Sequence, residues 1–228
     1  MVMAYYSLIL AVIIGIIYFF SNRYSIKHKE WNKKIVSFSA GVAITYVLLE
    51  LFPTFTEGAL IIDKLIFLAL PIGFITHHII EKEIYKHNHR HELIRMLSLE
   101  EQIFSFVYHL IIGIVLVTFT KFGLIEGLLF FIPMATYTFL STLPTEAHPS
   151  KLKAIFLSGA TLFGAIIGLL LTNVMPRWLD YSLIGLALGV LLFTVIRHHV
   201  PFGRKGKIGY FTTGFLIYSI IIIASWYI

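Results

Sequence analysis

His109 stands in the middle of a long apolar run, with Tyr108 before it and no carboxylate at the same depth. An ionisable group so placed is costly to bury and marks a substrate or proton path. The alternative is a neutral imidazole hydrogen-bonded to a neighbouring helix through Thr118, Thr136 or Thr138. A second group of chemically capable residues gathers at run ends. His77 and Glu81 are four apart and share a helical face, His78 adjoins them, and His198 and His199 close another run. Imidazole with carboxylate is the ligand chemistry of Zn²⁺ and similar cations, so these five are a candidate inner metal site, or else interfacial residues at helix ends. His87, His89 and His91 alternate along a polar stretch, as a weak metal-binding tract or a solvated loop. Glu50, Glu57, Asp63 and Glu126 are a candidate outer cation vestibule, or four separate interfacial acids.

What positions these residues follows from composition. Of 228 residues 58% are hydrophobic and only 13% charged, and the mean hydropathy is +0.86. A soluble domain carries roughly a quarter charged residues, so this chain cannot cover itself in water. It has no cysteine, which excludes disulfides and thiolate metal sites. Its pI near 9.4 points to basic residues flanking membrane spans, not to nucleic acid.

A span needs about 20 mostly apolar residues. Eight such runs are present, at 3–21, 35–53, 60–80, 102–120, 123–143, 153–173, 181–197 and 208–228, with a charged, histidine-bearing cytoplasmic loop at 82–101. The first run lacks a positive leader and a small-residue cleavage site, and reads as a retained span. Alternate connections hold fifteen of the 18 Lys and Arg; the others hold only Lys64, Lys121 and Arg177. Basic residues stay in the cytoplasm, so the expected fold is an all-α integral membrane protein of eight helices with both termini extracytoplasmic. The expected home is a prokaryotic plasma membrane.

Two runs look alike. Gly41-Val42 is followed by Pro53 at the distance that separates Gly189-Val190 from Pro201, and the two runs would cross in opposite senses. That pattern predicts inverted repeats of spans 1–3 and 6–8 around a central pair, a plan used by many transporters, or else a chance likeness between apolar helices.

From Ser39-Ala40-Gly41-Val42 through Leu48-Leu49-Glu50-Leu51-Phe52-Pro53, and from Gly73-Phe74 through Glu81 into the histidine-bearing loop, the chain resembles the ZIP (Zrt/Irt-like) family of divalent-metal transporters. The resemblance implies the 3+2+3 inverted arrangement and transport of a divalent cation such as Zn²⁺; a homodimer is one candidate partner state, which the sequence does not decide. The resemblance also implies metal ligands on spans four and five, in a His-Asn-x-x-Asp-Gly and a His-Glu-x-Pro-His-Glu segment. There this sequence departs. With Gly113 on the first motif's glycine, Tyr108 replaces its His, His109 its Asn and Ile112 its Asp; in the second, Phe130, Phe131, Met134 and Ala135 replace four ligands around Pro133. The expectation is a transporter or transporter-like protein whose metal site has degenerated, with Tyr108, His109, Glu50 and Glu126 along its pathway. The rival is a non-transporting membrane protein, or a regulator sensing metal through cytoplasmic histidines. No hydrolase or protease signature is present, so no enzyme is expected.

Overall fold

The computed structural model describes residues 2–21, 29–87, 90–141, 151–201 and 206–228. They form helices α1 (Val2–Ser21), α2 (Lys29–Tyr46), α3 (Phe52–Ile62), α4 (Ala69–His87), α5 (Arg90–Phe122), α6 (Leu124–Ser141), α7 (Lys151–Ser158), α8 (Ala160–Leu171), α9 (Arg177–Thr194) and α10 (Ile208–Ser225). No strand occurs among them. Six stretches are helical, long and apolar enough to cross a membrane: Lys33–Ile62, Lys64–Ile84, Gln102–Phe122, Leu152–Leu171, Arg177–Arg197 and Ile208–Ser225. The protein is therefore an integral membrane protein. Tyr5–Ser21 and Leu124–Leu140 are shorter apolar helices.

The helices depart from the expected runs in two places. Pro53 was expected to end the second run, yet the helix continues to Ile62 and ends only at Asp63, which is extended. A π-helical segment, Val47–Leu51, lies just before the proline. Its wider turn loosens the local ladder, and Pro53 then falls in the first turn of α3, where a missing N–H costs little. The stretch 82–101 was expected as a loop. Its described residues are helical, continuing α4 to His87 and starting α5 at Arg90, so α5 extends well beyond its apolar part.

Two close helix approaches form a matched pair. A β-carbon on Gly41 would collide with the Phe211 carbonyl oxygen and lie 2.8 Å from the Phe215 nitrogen; one on Gly189 would collide with the Leu70 oxygen and lie 2.7 Å from the Phe74 nitrogen. Reciprocally, Gly214 abuts the carbonyl of Phe38, and Gly73 that of Leu186. Phe38 and Gly41 precede Leu186 and Gly189 by the same number of positions. One second offset relates Leu70, Gly73 and Phe74 to Phe211, Gly214 and Phe215. The π segments obey the first offset too, Val47–Leu51 matching Val195–His199. Small residues let these helix backbones touch, which is how apolar helices associate where lipid removes the hydrophobic drive. Gly113 and Gly164 seal α5 to α8 in the same manner, against Thr161 and Leu110.

Candidate functional site

α5 and α6 bring the central residues together. Tyr108, His109, Phe130, Met134 and Ala135 are all buried. Tyr108 donates its hydroxyl to the Met134 sulfur at 3.8 Å and meets the Tyr137 ring edge-on at 5.4 Å. Phe130 stacks on Phe119 at 5.0 Å, and Tyr46 from α2 closes on Phe130 edge-on at 6.1 Å. Ile112 is fully buried in the same core. Of the positions where the ZIP resemblance places ligands, Tyr108 and Met134 meet, and apart from His109 and the Tyr108 hydroxyl the others offer only aromatic rings, a thioether and alkyl groups. Rings, thioether and alkyl groups supply none of the hard oxygen or imidazole donors that replace a divalent ion's water shell, and no carboxylate stands among them. Among the described residues no three His, Cys, Asp or Glu approach closely enough to hold a metal ion.

His109 has both ring nitrogens engaged. Nδ1 lies 2.7 Å from the Ser105 carbonyl oxygen, an obligate acceptor, so Nδ1 carries the proton. Nε2 then accepts from the Thr138 hydroxyl at 3.1 Å. Tyr18 from α1 packs edge-on at 5.0 Å and its hydroxyl lies 3.2 Å from that of Ser105. The lone pair that a metal needs is already taken by Thr138. His109 ties α5 to α6, and the arrangement is that of a satisfied neutral imidazole.

Pro133 creates a second polar demand in this core. Having no N–H, it leaves the carbonyl four residues earlier, Leu129, without its helical partner. The hydroxyl of Tyr218 reaches across from α10 and donates to that oxygen at 2.7 Å. Neighbouring Tyr46 has no such acceptor: its buried hydroxyl has no hydrogen-bond partner among the described residues. Neither Tyr46 nor Tyr218 stands out in the sequence. The spacing from Pro133 to Leu129 was the available signal for a donor, though not for which helix supplies it.

Two acids of the expected vestibule, Asp63 and Glu126, have local roles, and so does Asp180 outside it. The Asp63 carboxylate accepts from the Leu65 amide at 2.8 Å, capping a 3₁₀ turn, Lys64–Leu68. Glu126 lies in the first turn of α6 against Gly123, where the helix dipole favours negative charge. Asp180, in the first turn of α9, accepts from Thr118 at 2.8 Å. At the expected inner site, Arg197 donates to His78 Nδ1 at 3.1 Å and lies over the Phe193 ring at 5.3 Å. A guanidinium there opposes a divalent cation and uses one imidazole nitrogen. The side chains of His77, Glu81, His87, His91, His198 and His199, and all of His89, lie outside the described residues. No family model matches the chain, and no curated protein sequence matches it.

Proposed function

We propose that this protein keeps the helical plan of a ZIP-like divalent-metal transporter and carries no divalent metal through its centre. On this reading it crosses the membrane eight times, with both termini on the outer side. The shorter helices α1 and α6 complete the set: their 20 and 18 residues reach roughly 27–30 Å at 1.5 Å per residue. Both contribute buried residues to the common core, Leu10 and Ile14 from one and Leu129 and Phe130 from the other. An inverted repeat is supported by the matched glycine contacts and the matched π segments, which a two-fold exchange of spans two and three with seven and eight would generate.

The observation that carries the functional reading is the Tyr108–Met134 contact, with Phe130 and Ile112 buried beside it. It fills the place where a transported cation would shed its water. Uptake by proteoliposomes of the full chain tests this, with Zn²⁺, Fe²⁺, Mn²⁺ and Cd²⁺ supplied in turn. The expected result is uptake no faster than by protein-free vesicles. Saturable, protein-dependent uptake of any one of them overturns the proposal.

A further inference from the structure

α2 and α10 begin side by side. The Lys207 amide donates to the Ser37 hydroxyl at 2.9 Å, and Gly214 further along α10 abuts Phe38 and Gly41 abuts Phe211. The two helices therefore run in the same direction and start at one membrane face. Their apolar stretches begin at Lys33 and Ile208, so this junction lies at headgroup depth. Lys33, Lys34 and Lys207 cluster there beside two exposed aromatic side chains, Trp31 (62% exposed) and Tyr210 (44%). Lys34 Nζ lies over both rings, 5.1 Å from the Trp31 centroid and 5.5 Å from that of Tyr210, so the rings hold the ammonium in place. Gly206, with φ of 81°, turns the chain into α10 against Pro201. The first amides of α10 receive no side-chain cap from Lys207. Over Gly209 a β-carbon would meet nothing within 4 Å, so the approach is open. Below it, Leu216, Ile217 and Ile220 are exposed on the same helix.

We propose that this junction binds the phosphate of an anionic phospholipid. The lysines supply charge, Trp31 and Tyr210 supply the amphipathic rings favoured at the interface, and the exposed apolar side chains of α10 lie along the acyl chains. The inference rests on the chain's lying in a membrane and not on whether anything passes through it.

Thermal unfolding of the full-length protein in neutral detergent, titrated with a short-chain phosphatidylglycerol, tests it. Phosphatidylcholine of equal chain length and inorganic phosphate serve as comparators. The expected result is a rise in Tm with phosphatidylglycerol alone. Lys34→Gln and Lys207→Gln each weaken its apparent affinity roughly fivefold, whereas Lys121→Gln at the end of α5 leaves it unchanged. Gly209→Asp abolishes the lipid-induced rise while leaving the lipid-free Tm equal or higher, because an acid suits a helix N-terminus. Equal shifts with phosphatidylcholine, a matching shift with inorganic phosphate, an equal loss in Lys121→Gln, or wild-type affinity in the lysine and Gly209→Asp variants each overturn it.

Discussion

Two tyrosines in the core, Tyr46 and Tyr218, carry the same hydroxyl in opposite circumstances. Tyr218 satisfies a carbonyl that Pro133 leaves bare, whereas the Tyr46 hydroxyl is buried with no partner among the described residues. Tyr218→Phe should therefore destabilise the protein by about 1–2 kcal/mol, the cost of an orphaned carbonyl in an apolar interior. Tyr46→Phe removes an unpaired group and should leave stability unchanged or raise it by up to about 1 kcal/mol. Unfolding midpoints in detergent read both, and a loss of equal size in the two variants contradicts the account. His109 belongs with Tyr218. His109→Ala strips Ser105 and Thr138 of a shared partner and leaves a cavity, so a loss of about 2–3 kcal/mol is expected, while Zn²⁺ binding by calorimetry stays as in the parent. A variant that instead loses measurable Zn²⁺ binding at full stability would return His109 to a ligand role. From sequence, His109 was legible as the one deep titratable group, with a metal-contact and a tied-imidazole reading both open. Which partners it meets depends on the rotation of α5 against α6, which apolar periodicity does not set.

At the scale of elements, backbone contact decides the outcome. Gly41 lies so close to α10 that a methyl group must push the helices apart, at about 1–3 kcal/mol for overpacking. Gly41→Ala should show that loss in thermal unfolding, and Gly189→Ala should match it because its surroundings match. Gly209→Ala, in open space, should show none. A neutral Gly41→Ala variant would mean that the two helices are not sealed as described. The likeness of the Gly41 and Gly189 stretches was readable because glycine, valine and proline recur at one spacing. The π segments before Pro53 and Pro201 were not. Their residues are ordinary helix-compatible apolar ones, and proline alone signals an interruption without saying that a wider turn can absorb it. The helical character of the described residues within 82–101 is hidden for a related reason: charge density there favours a solvated loop, while continuity with α4 and α5 carries each helix outward.

Across the whole molecule, alternation of basic connections and apolar runs was plain in the sequence because lipid thickness imposes run length and charge imposes side. Whether the centre conducts was not plain. On the proposed ZIP-like plan, Tyr108, Ile112, Phe130 and Met134 stand at ligand positions and remove the usual donors, but only side-chain packing tells whether the space left is filled. Here it is filled, and by the replacements themselves. The chain has no cysteine, so introduced cysteines can be read without background. The most direct test is labelling of Met134→Cys, in membranes, by a charged thiol reagent supplied to each side in turn, with Lys64→Cys and Lys153→Cys as exposed controls. A closed, dry centre predicts that both controls react, each from its own side, and that position 134 reacts from neither. Labelling of position 134 from either side, at a rate approaching that of a control, would contradict it.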